Sequence, residues 1–297
     1  MGVRAFPLRI GIFLPPDTWE ASLRAWQLVE ELGFDCAGVT DHFMPTSGEG
    51  EALDRPFPEA WTVLAALAAR TSRMQVAVLV SGNTYRHPVL LAKQAVTLDH
   101  ITGGRVELGI GAGWYEAEHR KFGWDFPTAG ERVDMLDEAL QVIRSLLTQR
   151  RTTFHGEHYR LDDAPFQPKP VQERLPIMIG GQKRRMMGLV ARHADIWSID
   201  NGPDEMRESG DMLEAACAEF GRDPAEIRRS AFVVARRAGR EPWNSLDDFL
   251  AVLNAYIDAS ASEVYFKMPD QAQWDLLREV GAILPRLRAE YAQNHST

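Results

Sequence analysis

Gly104-Arg105-Val106-Glu107-Leu108-Gly109-Ile110-Gly111-Ala112-Gly113-Trp114 reads as a buried strand that ends in three alternating glycines. Glycine at such a place lets a flat ring or a phosphate approach bare backbone, and it also suits a tight strand-to-loop turn with no ligand. The dinucleotide-binding fingerprint is the obvious rival. It needs a third glycine beyond Gly113 that is absent, and it belongs on the first strand of a fold, whereas this strand is the fourth of its kind.

Seven further runs of the same character flank it: Leu8 to Leu14, Cys36 to Thr40, Gln75 to Val80, Pro176 to Ile179, Ile196 to Ile199, Ser230 to Ala235 and Glu263 to Lys267. Each is nearly continuous in Val, Ile, Leu, Phe or Met, as expected of strands buried on both faces. Helical stripes alternate with them, for example Val133, Leu136, Leu140, Ile143 and Leu147. Pro88 and the pair Gly103-Gly104 mark the start and stop of another helix. Eight such βα units predict an α/β fold, a (β/α)8 TIM-like barrel, with residues 1–297 as a single domain. One connection, Trp114 to Leu175, is too long for a plain unit. It reads as a helix near Glu131 to Arg150, a hairpin around Gly156 and a proline-punctuated return from Pro165 to Pro176. That excursion between strands four and five is placed beside the active face of the barrel.

Composition narrows the function classes. The 297 residues are 45% hydrophobic and 25% charged, an ordinary globular chain, and 42 acidic against 33 basic residues give a formal net charge of -9. Such a balance disfavours a nucleic-acid or anionic-membrane surface and favours small-molecule partners. Two widely separated cysteines, Cys36 and Cys217, imply no disulfide framework and fit a reduced, cytoplasmic setting. Met1 to Pro7 carries too short an apolar run for a signal peptide and lacks the hydroxyl residue that myristoylation wants.

In a barrel the reactive groups stand just past the carboxyl ends of the strands. Those exits are Pro15-Pro16-Asp17, Asp41-His42-Phe43, Ser81-Gly82-Asn83-Thr84, Gly111-Ala112-Gly113-Trp114 and Gly180-Gly181-Gln182-Lys183-Arg184. Glycine at three of them favours a large flat ligand over a constellation of charges. His42 is the acid/base candidate, with Asp41 beside it to orient the ring or to bond a polar edge of the ligand. Trp114 and Tyr115 are placed to wall a ring-shaped substrate, with Glu116 or His119 as a second proton source; Glu116 and Glu118 serve equally well as acidic caps of a short helix. Gly180, Gly181, Gln182 and Lys183 lead into a helix start that suits a phosphate. A metal site is not expected, since only one of the eight histidines stands at a strand exit; His155 and His158 are expected on opposite faces of the hairpin, at the surface. A Walker motif and a serine nucleophile elbow are both missing.

Taken in order, Val39-Thr40-Asp41-His42-Phe43, Tyr85-Arg86-His87-Pro88, Gly103 to Glu116 and Pro176 to Gly181 resemble the luciferase-like monooxygenase superfamily, and most closely its coenzyme F420-dependent oxidoreductases. The resemblance implies hydride transfer between the deazaflavin F420 and a small organic substrate. The alternative it implies is an FMN-dependent monooxygenase supplied with reduced flavin by a separate reductase. A flavin-binding protein without turnover and a metal-dependent barrel hydrolase are readings from other classes. By resemblance Asp41 and His42 lie beside the ring, and Leu79, Val80 and Ser81 form a strand exit where family members often carry a non-proline cis peptide. Gly111 and Gly113 offer backbone to the cofactor, and Gly180, Gly181 and Gln182 cradle its phosphate. The family also favours homodimers. Its sugar-phosphate dehydrogenases place a glutamate directly after the fourth-strand glycines; here Trp114 stands there, so their substrate is not implied.

Overall fold

Eight short apolar strands pair in parallel and close on themselves in the computed structural model, which describes residues 6–295. The reading of residues 1–5 as neither signal peptide nor myristoylation site lies outside the described residues. In chain order the strands are β1 (Arg9–Leu14), β2 (Cys36–Val39), β3 (Gln75–Val78), β4 (Ser81–Gly82), β5 (Val106–Gly111), β6 (Arg151–His155), β7 (Arg160–Pro165), β8 (Ile177–Gly180), β9 (Ile196–Ile199), β10 (Arg228–Phe232) and β11 (Glu263–Lys267). The sheet runs β3-β2-β1-β11-β10-β9-β8-β5, and β3 pairs with β5 to complete the ring. The expected TIM-like barrel is therefore present. Two boundaries shift: β3 stops at Val78, and the seventh barrel strand starts at Arg228, not Ser230. After a break at the cis peptide Leu79-Val80, the two-residue β4 resumes pairing with β5. Across the β3–β5 seam only Val76↔Val106 and Ala77↔Glu107 pair, against five residue pairs between β1 and β11.

Side chains alternate inward and outward along the strands and fill the barrel in layers. At the floor, by the amino ends of the strands, Glu107 Oε1 accepts from Arg9 Nη1 at 2.8 Å and Arg228 Nη1 at 2.7 Å, and Glu263 Oε2 accepts from Arg228 Nη1 at 2.7 Å. Two guanidinium groups against two carboxylates leave no uncompensated charge in this buried place. Burial works against the Arg228 charge, but Glu263 and Glu107 outweigh it and raise its pKa. The next layer holds Cys36, Met178, Ile196 and Tyr265. Gly11 makes room for it, since a Cβ there would lie 2.5 Å from Cys36 Sγ and 2.8 Å from the Tyr265 ring. Burial pushes the Cys36 thiol well up, and both cysteines are free and buried, as expected.

The surrounding helices start and stop where the sequence says. The helix Pro88–Thr102 has proline in its first turn and ends on Gly103 at φ 65°. The helix Ala129–Thr148 is capped by Thr128, whose hydroxyl accepts from Glu131 N, and buries Leu136, Leu140, Ile143 and Leu147. It ends two residues short of the expected Arg150. The excursion then forms the antiparallel hairpin β6-β7. Its turn is pinned by the Glu138 carboxylate, which accepts from the backbone N–H of Glu157, His158 and Tyr159 at 2.7, 2.9 and 3.0 Å. Asn83 Nδ2 donates to Tyr159 Oη at 3.1 Å, which joins the hairpin turn to the loop after β4. His155 is exposed and pairs with Asp162. His158 lies in the turn, not on a strand, so the strand alternation invoked for it does not apply.

Candidate active site

His42 leaves β2 at the carboxyl end of the barrel, and its side chain is 11% exposed. Trp114 and Tyr115 stand edge-on to the imidazole with ring centroids at 5.5 and 5.7 Å, and Tyr85 at 6.3 Å. The structure thus brings His42, Trp114 and Tyr115 together as the sequence suggested. Trp114 is 63% exposed, a large apolar surface turned to solvent beside the histidine.

The carboxylate on His42 is not the one expected. Asp41 is buried and gives both oxygens to Arg86, Oδ1 accepting from Nη2 at 2.9 Å and Oδ2 from Nη1; Glu59 holds the same guanidinium at 3.2 Å. An acidic neighbour in sequence leaves an extended chain on the opposite side, so Asp41 and His42 cannot share partners. Instead Glu118, fully buried on the helix Glu116–Phe122, accepts from His42 Nδ1 at 3.0 Å. Its Oε2 also accepts from Tyr85 Oη, and its Oε1 accepts from the backbone N–H of Phe43 and of Met44, the latter at 3.1 Å. Burial works to raise the Glu118 pKa, but the bonds from His42, Tyr85 and Phe43 outweigh it and hold the pKa below the ordinary value. Burial and the Glu118 acceptor push the Tyr85 phenol up.

Glu116 and His119 do not fill the role of second proton source. Glu116 is exposed at the first position of the helix. His119 is fully buried with both nitrogens engaged, Nδ1 on the Tyr115 carbonyl at 2.9 Å and Nε2 on Thr84 Oγ1 at 2.7 Å. In the sequence Glu118 reads only as a helix cap. No local pattern points to its partner, because Trp114 and Tyr115 precede the helix that carries it.

The strand-exit glycines also make room for a side chain that the sequence did not point to. A Cβ at Gly111 would lie 3.1 Å from Val80 Cγ2 and at Gly180 2.8 Å, while at Gly109 it would lie 2.0 Å from the Val78 carbonyl oxygen and 3.0 Å from Val80 Cγ1. The missing side chains of these strands are replaced by Val80, which rises from the break after β3 into the centre of the mouth. Leu79 packs over Gly38 in the same way. Ser81 is fully buried and its hydroxyl accepts from Trp61 Nε1 at 2.9 Å, which commits that side chain elsewhere. Gly113, at φ 83°, abuts Thr84 and gives its carbonyl to Arg132 Nε at 3.2 Å.

At the exit of β8 the helix Arg184–His193 begins after Lys183, which supplies no side-chain cap, so its first-turn N–H groups face outward. Gly181, at φ 152°, leaves a hollow in which a Cβ would lie 3.0 Å from Met186. The Gln182 Oε1 is buried there without a protein partner, and Lys183 and Arg184 are exposed. The uncapped N–H groups of this helix start and the cations of Lys183 and Arg184 are donors that fit the phosphate of a flavin or deazaflavin, while the Gln182 Oε1 is an acceptor and adds no donor; the Val80 platform fits the ring. Among the described residues no group of His, Cys, Asp and Glu is arranged to hold a metal ion, and no helix is long and apolar enough to cross a membrane.

Relatives with known names share the whole barrel. An F420-dependent glucose-6-phosphate dehydrogenase of Microbacterium testaceum is 28% identical over 317 residues, spanning 89% of this chain and 92% of its own. An FMNH2-dependent dimethylsulfone monooxygenase of Pseudomonas putida is 31% identical over 228 residues, spanning 76% of this chain and 61% of its own. In fold, an F420-dependent secondary alcohol dehydrogenase solved with an F420-acetone adduct superposes with a TM-score of 0.81 at 19% identity, covering 93% of this chain and 98% of that one. Residues 8–283 match the luciferase-like monooxygenase family throughout. The chain belongs to that family, and it is an oxidoreductase built on a TIM-like barrel.

Proposed function

We propose that the protein transfers a hydride between F420 and a small organic substrate, with His42 giving or taking the accompanying proton. The observation that carries this reading is the position of His42: it is engaged at Nδ1, its Nε2 has no hydrogen-bond partner among the described residues, and it lies against an exposed aromatic wall at the barrel mouth. Support for the cofactor comes from the F420-dependent relative and from the closeness of the Asp41-His42 and Gly109 to Glu116 segments to the deazaflavin branch. Bound at this site, a deazaflavin supplies a two-electron hydride carrier. Gly181, Gln182 and Lys183 hold the phosphate, Leu79 and Val80 support the ring, and Trp114 and Tyr115 exclude water from the substrate side. His42 then exchanges its proton at Nε2.

The second reading, an FMN-dependent monooxygenase using reduced flavin from a separate reductase, is favoured by the dimethylsulfone monooxygenase relative. Fluorescence titrations with F420 and FMN separate the two. F420 is expected to bind at least about tenfold more tightly, a difference of ~1.4 kcal/mol. Equal or reversed affinities overturn the F420 reading.

A further inference from the structure

We infer that Glu118 is the positioning residue for His42: it fixes the imidazole as the Nδ1–H tautomer, so that Nε2 is the nitrogen open to the reacting molecule. The inference rests on the proposed acid/base role of His42, and it assigns to a helix residue the orienting task that sequence adjacency gave to Asp41.

Three observations carry it. The Glu118 carboxylate receives four donors, two at each oxygen: the backbone N–H of Phe43 and Met44 at Oε1, and Tyr85 Oη–H and His42 Nδ1 at Oε2. A carboxylate held below its ordinary pKa is an acceptor only, so the hydrogen between it and His42 sits on Nδ1. Among the described residues no lysine or arginine donates to Glu118, whereas the other buried carboxylate at this exit, Asp41, is bound by Arg86. Of the two side chains that bond Glu118, His42 and Tyr85, only the imidazole has two neutral tautomers for the carboxylate to choose between. Finally, the two backbone bonds come from the residues that directly follow His42 in the chain. The same carboxylate thus fixes both the imidazole and the backbone that carries it, which sets ring rotation as well as tautomer.

Tyr85 completes the arrangement by using the second lone pair of Oε2, and its own oxygen is 3.3 Å from His42 Nδ1. Glu118→Gln keeps the shape and reverses the logic. The carboxamide oxygen still accepts from Phe43 and Met44, and its NH2 now points a donor at His42 Nδ1, which forces the Nε2–H tautomer.

The test uses protein labelled with 15N-histidine and no cofactor, with the His42 signals assigned by their loss in His42→Ala. Wild type is expected to show neutral His42 protonated at Nδ1, and Glu118→Gln to show it protonated at Nε2. Nε2–H in the wild type overturns the inference without need of any variant, and so does an unchanged tautomer in folded Glu118→Gln. Turnover is then read with F420H2 and 2-cyclohexen-1-one as probe. Glu118→Gln is expected to lower kcat by about 10²- to 10⁴-fold with KM nearly unchanged, and Glu118→Asp to restore the Nδ1–H tautomer and part of the rate. Full turnover in His42→Ala sinks the acid/base reading itself; loss in His42→Ala with full turnover in Glu118→Gln sinks only the role of Glu118.

Discussion

Val80 shows how far a single residue position can be read from sequence. The glycines at 109, 111 and 180 were legible as places where something must come close, because only a missing side chain explains so many glycines at strand exits. What comes close was not legible, since it depends on where the chain turns after β3 and no local pattern encodes that. The contact changes what a substitution at Gly180 should do. Valine there would narrow the approach of a phosphate, and with Val80 Cγ2 2.8 Å from the new Cβ it must also push the side chain at the centre of the mouth. Gly180→Val is expected to lose ~1–3 kcal/mol of stability in urea unfolding as well as cofactor affinity. Unchanged stability would show that Val80 moves aside at little cost. The same limit explains Glu118, whose partner lies 76 residues away in sequence, against Asp41, whose adjacency to His42 was visible and misleading.

Elements were the most legible scale. Continuous apolar runs bounded by glycine, proline or acidic caps gave all eight barrel strands to within about three residues, because strands covered on both faces leave a compositional trace that survives any detail of packing. The hairpin β6-β7 was legible from Gly156, but its anchor was not. Glu138 sits on the outward side of the helical stripe, where a glutamate reads as solvated. In the fold its carboxylate gathers three consecutive N–H groups, and although burial works to raise its pKa, those bonds from His158, Glu157 and Tyr159 hold it below 4.5. A carboxyl whose pKa is depressed by folding contributes stability above its unfolded pKa, and that contribution is lost as the pH falls through the folded value. As the pH falls below the ordinary glutamate range the hairpin is therefore expected to loosen, and Glu138→Gln should flatten that dependence while leaving neutral-pH secondary structure intact. Limited proteolysis at the turn across this pH range, compared between wild type and variant, checks it; identical profiles would place the acid sensitivity elsewhere.

At the scale of the whole molecule, fold class followed from the count and order of strands, while the closure of the ring did not, since nothing in β3 or β5 announces that they pair. That closure is interrupted. Val78 to Val80 on one side and Leu108 and Gly109 on the other have no register partner across the seam, which is left as two ladders of two residue pairs each on either side of the Val80 knob. A girdle of hydrogen bonds opens where the fewest rungs must break together, so local opening there costs less free energy than global unfolding. In native-state hydrogen exchange, the amides of Val76 and Asn83, which bond across the seam to Arg105 and Gly111, are expected to exchange sooner than those joining β1 to β11. Uniform protection around the ring would refute this. If it holds, the barrel is hinged at the wall that carries the platform of its own mouth, and a ligand resting on Val80 would slow exchange at that wall before any other.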